Sequence, residues 1–143
     1  MPSGLAASKV AIIVDSALAP GLASNTAAVL ALTIGRHVES LIGSSLKDGD
    51  GSTHAGITNT PVPILSASAE AIKEIRNRAS AAAESGDLLV VDFTDCAQRS
   101  RTYDDYSSLL ATSTNETINY LGVALHGPPK TVSKLTGNLR LLR

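Results

Sequence analysis

The sequence predicts an α/β domain in which strands and helices alternate around a largely parallel sheet with helices on both faces. Three observations lead there. Short apolar, partly β-branched runs recur at residues 10–14, 87–93 and 117–125. Segments with helical spacing of apolar residues lie between them, and Gly, Pro and Ser/Thr punctuate the junctions.

Residues 10–14, "VAIIV", form a continuous apolar run of the kind buried on both faces in a parallel sheet. Pro20 and Gly21 break it. From Leu22 to Ile34 nearly every residue is apolar or Thr/Asn, too long for a strand, and Gly35 with Arg36 forms an expected stop. A helix apolar almost all round must be buried or pack against another subunit.

Residues 43–61 are dense in Gly, Ser, Thr and Asp, which predicts a long loop with a hairpin at Asp48-Gly49-Asp50-Gly51. "PVPIL" follows as a short strand, placed at a sheet edge because its two prolines cannot donate to a central ladder. Ser68 opens a helix with Ala69, Ile72, Ile75, Ala79 and Ala82 on one face, ending by Gly86. "DLLVVDF" is the clearest buried strand. Thr102 and Asp105 have capping-box spacing before a helix whose apolar face is Tyr103, Tyr106, Leu109 and Leu110. A strand at 117–125 leads to a short helix opened by Pro129, with Val132 and Leu135 inward and Gly137 as its stop.

Composition narrows the function classes. The chain has 143 residues, 43% hydrophobic and 17% charged, which is the composition of one folded domain, expected over residues 9–143 behind a disordered N-terminus at residues 1–8. Aromatics make up 3%, so Ala, Val, Ile and Leu must fill the core. A net charge of −1 argues against a DNA-coating protein. Lys130, Lys134, Arg140 and Arg143 nevertheless form a basic C-terminal stretch, read as solvated helix face. The single cysteine, Cys96, excludes an intramolecular disulfide and fits a reducing compartment. No stretch reaches the roughly 18–20 apolar residues of a membrane span. The expectation is a soluble cytoplasmic protein with no membrane partner.

In sheets of this kind, ligands bind beyond the carboxyl ends of the strands, which nominates Asp15 to Thr26, the Ser66 region and Asp92 to Arg101. After the first strand stand Asp15 and Gly21, with Asn25 and Thr26 in the early helix, a Gly-containing turn that lacks the lysine of a Walker loop and the glycine spacing of a dinucleotide fingerprint. After "DLLVVDF" come Asp92 and Asp95, candidate acid and base, with Thr94 between them and Arg99 and Arg101 as anion holders. His54 and Thr58 lie in the polar loop, which could cover a pocket or be a solvated connection. His37, His54 and His126 share no ligand spacing with Cys96, so no metal or other cofactor is expected.

Four blocks, "VAIIVDSALAPGLASNTAAVLALTIG", "HAGITNTPVPIL", "VVDFTDCAQRSRTYDDY" and "YLGVALHGPPKTVSKLTGNLRLL", resemble the uncharacterised domain-of-unknown-function family 2000. The last block is also similar to the type II peptidyl-tRNA hydrolases, through Gly127-Pro128 and Thr136-Gly137-Asn138-Leu139-Arg140-Leu141. That resemblance implies a three-layer α/β/α fold around a four-stranded mixed sheet, with one antiparallel strand, and a homodimer. Leu22 stands where those hydrolases keep a lysine thought to be catalytic; Thr26 and Val29 replace their glutamine and histidine, and Asp92 has no following glycine. Three readings stay open. The first is a ligand-binding domain without the catalytic lysine, taking a small molecule or a tRNA-like ligand through Asp15, Gly21, Asn25, Thr26, His54, Thr58, Thr94, Arg101 and Lys134. The second is a metal-independent hydrolase acting on peptidyl-tRNA or a related ester or amide through Asp92 or Asp95. The third is a dimerisation module resting on the helix at 22–34.

Overall fold

The computed structural model describes residues 8–143. Residues 1–7, most of the segment expected to be disordered, lie outside the described residues. The strands β1 (Lys9–Asp15), β4 (Ile64–Ala67), β5 (Leu89–Thr94), β6 (Tyr120–Gly127) and β7 (Arg140–Leu141) form one mixed sheet in the order β5-β6-β1-β4-β7. A separate hairpin joins β2 (Leu46–Lys47) to β3 (Thr53–His54). The helices are α1 (Pro20–His37), α2 (Ala69–Ala83), α3 (Asp95–Arg99), α4 (Tyr103–Ala111) and α5 (Pro129–Thr136).

Strand β1 is the centre because it is apolar on both faces, with Ala11, Ile12, Ile13 and Val14 wholly buried. Its alternation splits the core in two. Val10, Ile12 and Val14 pack with Ala23, Ala27, Leu30 and Ile34 of α1. Ala11 and Ile13 pack with Ile72, Ile75 and Ala79 of α2 and with Val132 and Leu135 of α5. Helices therefore cover both faces. Each large side chain removed from water in this way contributes about 1.5–3 kcal/mol of burial free energy.

The expected caps are present: Ser68 Oγ accepts the Ala71 amide at 3.2 Å and Thr102 Oγ1 accepts the Asp105 amide at 3.0 Å. The hairpin also forms where expected. Asp48 Oδ1 accepts the amides of Asp50 and Ser52, and Gly51 takes the left-handed conformation, φ 83°, that its turn requires.

Several expectations are corrected. The sheet has five strands, because the two-residue β7 pairs antiparallel with β4 through Leu65 to Leu141 and Ser66 to Arg140. It is not largely parallel: β6 runs antiparallel to both β1 and β5. The reason lies in the excursion between β5 and β6, since the Asp95 amide donates to the Asn119 carbonyl at 2.9 Å. The chain leaves and re-enters the sheet at the same end, so β6 must run back. The segment "PVPIL" is not an edge; β4 begins after both prolines and lies between β1 and β7, and Pro63 contributes only its carbonyl, which accepts from the Ile12 amide at 3.0 Å.

Helix α1 passes through Gly35 and ends at His37, so Gly35 is not its stop. It buries a single stripe and leaves Leu32 79% exposed. In α4, Tyr106, Leu109 and Leu110 pack on the core, whereas Tyr103 lies in solvent and meets Tyr106 edge to face at 5.6 Å between centroids. The short helix α3, capped by Thr94, has no counterpart in the sequence reading.

Candidate ligand-binding site

Strands β1, β4 and β5 run the same way, so their carboxyl ends, at Asp15, Ala67 and Thr94, lie along one rim of the sheet. The Ser16 amide extends the β1 to β4 ladder by donating to the Ala67 carbonyl at 2.9 Å. Asp15 is nearly buried, and its Oδ1 accepts the Ala17 amide at 2.9 Å, which fixes the turn into α1. Gly21 and Asn25 are exposed on the first turns of α1. Leu22 is half-buried there.

Thr26 has a different role from the one expected. It is wholly buried, its hydroxyl donates to the Leu22 carbonyl at 2.8 Å, and a Cβ built on Gly122 of β6 would stand 2.7 Å from its methyl group. Thr26 packs α1 against β6, and no donor remains on it for a ligand.

A cavity of about 630 Å³ opens at the carboxyl ends of β1 and β4, lined by Ser16, Ser66 and residues 140–143. The β4 to β7 register sets Arg140 directly opposite Ser66, so the two side chains share a face. Among the described residues, Arg140, Arg143, Ser16 and Ser66 make no side-chain hydrogen bond or ion pair. Four side chains able to donate to an anion therefore meet one cavity, and none of its lining side chains is a carboxylate.

A second cavity, of about 420 Å³, lies beside β5. Val29 and Thr33 of α1, Val91, Asp92 and Phe93 of β5, Ala97 of α3 and residues 100–103 with Tyr106 line it. Burial raises the Tyr106 phenol above its ordinary value, with the Asp92 charge adding to the effect.

The two candidate catalytic carboxylates do not work on a common point. Asp92 pairs with Arg76 of α2 at 3.3 Å, and that guanidinium also stands 5.0 Å from the centre of the Tyr120 ring. Burial raises the Tyr120 phenol, and Arg76 opposes that shift. Asp95 accepts the backbone and side-chain amides of Asn119, both at 3.2 Å, and faces Arg99 at 3.8 Å. It tethers the start of β6. Thr94, 1% exposed, caps α3 by accepting the Ala97 amide at 3.3 Å.

The loop candidates sit elsewhere. His54 bonds Asp48 across the β2–β3 hairpin at 2.8 Å, exposed to water, and this bond is the largest cause holding the Asp48 carboxyl below its ordinary value. Thr58 bonds Thr60 and pairs with Ile42, beside Leu41, which packs with Val10 and Ile34 toward the amino end of β1. Lys134 is exposed on α5, on the opposite face of the sheet from α1. Arg101 is the one charged candidate that borders a cavity with its guanidinium unpaired among the described residues. Sequence reasoning pointed to the strand ends that hold Ser16 and Ser66 without naming either serine as a ligand contact, and it treated Arg140 as solvated surface. For Arg140 the available signal was the basic C-terminal stretch, since a two-residue strand leaves no periodicity to read.

Among the described residues, no group of three His, Cys, Asp or Glu side chains could hold a metal ion, and no helix is long and apolar enough to cross a membrane.

No curated protein matches the chain. Among solved structures, it is similar to the protein of unknown function Atu0240 from Agrobacterium tumefaciens strain C58, at 22% identity and a TM-score of 0.84, over 94% of this chain and 96% of that one. At that identity the likeness shows the fold alone. Residues 8–143 match the model of a family described as "Protein of unknown function (DUF2000)", and the chain belongs to that family.

Proposed function

We propose that this protein is a ligand-binding domain that takes a small anionic molecule, a phosphate or carboxylate compound, in the cavity at the carboxyl ends of β1 and β4. The observation that carries this reading is the convergence of Ser16, Ser66 and Arg140, whose side chains make no hydrogen bond or ion pair among the described residues, on one cavity of about 630 Å³. Carboxyl strand ends are where α/β sheets hold their ligands, and guanidinium with hydroxyls matches oxyanions. The mixed sheet with helices on both faces supports the three-layer, type II peptidyl-tRNA hydrolase-like arrangement. Leu22 in place of the lysine, and the commitment of Asp92 and Asp95 to separate partners, favour binding over hydrolysis. The reading includes a cytoplasmic homodimer joined through the outer face of α1, supported by the exposure of Leu32 and Ile42.

The test is a thermal-shift series with inorganic phosphate, small carboxylates and nucleotides on wild type and Arg140→Ala. A ligand at about one hundred times its Kd adds about 2.7 kcal/mol, or about 8 °C in Tm for a chain of this size. The wild type is expected to shift and Arg140→Ala to lose most of the shift. Absence of any shift, or equal shifts in both proteins, overturns the reading.

A further inference from the structure

We infer that the free edge of β5, with the cavity beside it, binds an extended peptide by strand addition, an apolar side chain entering the cavity and a carboxylate meeting Arg101. This site is separate from the anion cavity at β1 and β4.

Strand β5 ends the sheet: it pairs with β6 along one side, and among the described residues its other side has no backbone partner. Edges are commonly blunted by proline, lysine or a very short strand. Leu89–Thr94 has six residues with neither proline nor lysine, and its one charge, Asp92, is held by Arg76 of α2. Its partly exposed residues Leu89–Asp92 offer unmatched amides and carbonyls to another extended chain, whereas Phe93 and Thr94 are buried.

The cavity supplies what a bare edge lacks. Val29 and Phe93 give it apolar walls beside the strand, in reach of alternate side chains on an added strand. Its Thr33 and Ser100 hydroxyls donate to the Val29 and Cys96 carbonyls, and Thr102 Oγ1 accepts the Asp105 amide. The Arg101 guanidinium and the Tyr103 and Tyr106 phenols, all at the cavity, have no partner among the described residues. The Arg101 guanidinium only donates and carries a fixed positive charge, and the phenols can donate beside it, so the complementary peptide carries a carboxylate and not an amine.

Three labelled hexapeptides of alternating valine and threonine test this by fluorescence anisotropy with the full chain: one ending in glutamate, one in lysine, and the glutamate peptide with alternate backbone nitrogens methylated. The glutamate peptide is expected to bind at least about tenfold more tightly than either other peptide, and Arg101→Glu to reverse the preference toward lysine. Hydrogen exchange should show the amides of β5 protected when the glutamate peptide is added. Equal affinities for all three, no binding up to about 1 mM, or an unchanged preference in Arg101→Glu overturns the inference. So does β5 protection that rises with protein concentration alone, because a second copy then occupies the edge. Arg140→Ala should bind the peptide as wild type does, so failure of the anion site and failure of this one are separable.

Discussion

Replacing Gly122 by Ala tests whether Thr26 is a packing residue. A Cβ at position 122 would stand 2.7 Å from the Thr26 methyl, 2.9 Å from the Ile13 carbonyl oxygen and 3.0 Å from Leu30 Cδ1. The Thr26 methyl belongs to a side chain held by its hydrogen bond to Leu22, and the Ile13 oxygen belongs to the central strand, so neither yields freely. Overpacking of this kind costs about 1–3 kcal/mol. The narrower unfolded ensemble of alanine offsets about 0.4–1 kcal/mol of that. The net expectation is a loss of about 1–2 kcal/mol by urea denaturation, or about 3–6 °C in Tm. Thr26→Ser removes the closest clash and leaves the carbonyl contact, so in the Gly122→Ala background it should recover part of the loss. A Gly122→Ala protein within about 0.5 kcal/mol of wild type, or a double mutant whose losses simply add, would refute this account of Thr26.

In the hairpin, the Asp48 carboxyl is held below the ordinary 3.8, so it favours the folded form fully above that value and loses its effect as pH falls through the depressed pKa. An NMR titration should find Asp48 titrating low, and His54→Ala should move it upward; an unmoved pKa assigns the shift to the backbone amides instead. On β6, burial lowers the His126 imidazole below its ordinary 6.5, and its Nε2 is buried without a partner, between Val10 and Leu89 in the sheet. The folded state disfavours the proton, so Tm should fall as pH drops below 6.5 toward the lowered pKa, and His126→Leu should flatten that dependence. For the half-buried Arg76 and Asp92 pair, Arg76→Met should cost about 1 kcal/mol, because one carboxylate loses its partner with partial access to water. A larger loss than that of Asp92→Ala would trace the effect to the stranded carboxylate.

Local chemistry made part of this molecule readable in advance. Residues 10–14 form the central strand because an unbroken apolar, β-branched run has no stable place except between two covered faces. Ser68 and Thr102 cap helices because their hydroxyls reach amides three residues on, and the Asp48 to Gly51 turn forms from residues suited to it. The direction of β6 is different, since it depends on where the excursion through α3 and α4 returns, held by Asp95 and Asn119. The cavity at the carboxyl ends of β1 and β4 is likewise tertiary, because two residues of β7 pair with β4 and carry Arg140 to Ser66 across a sequence separation no periodicity spans. Thr26 shows the same division. Its sequence marks a polar residue near a strand exit, and the close approach of α1 to Gly122 turns it inward, because the glycine leaves room for a methyl group and none for a ligand.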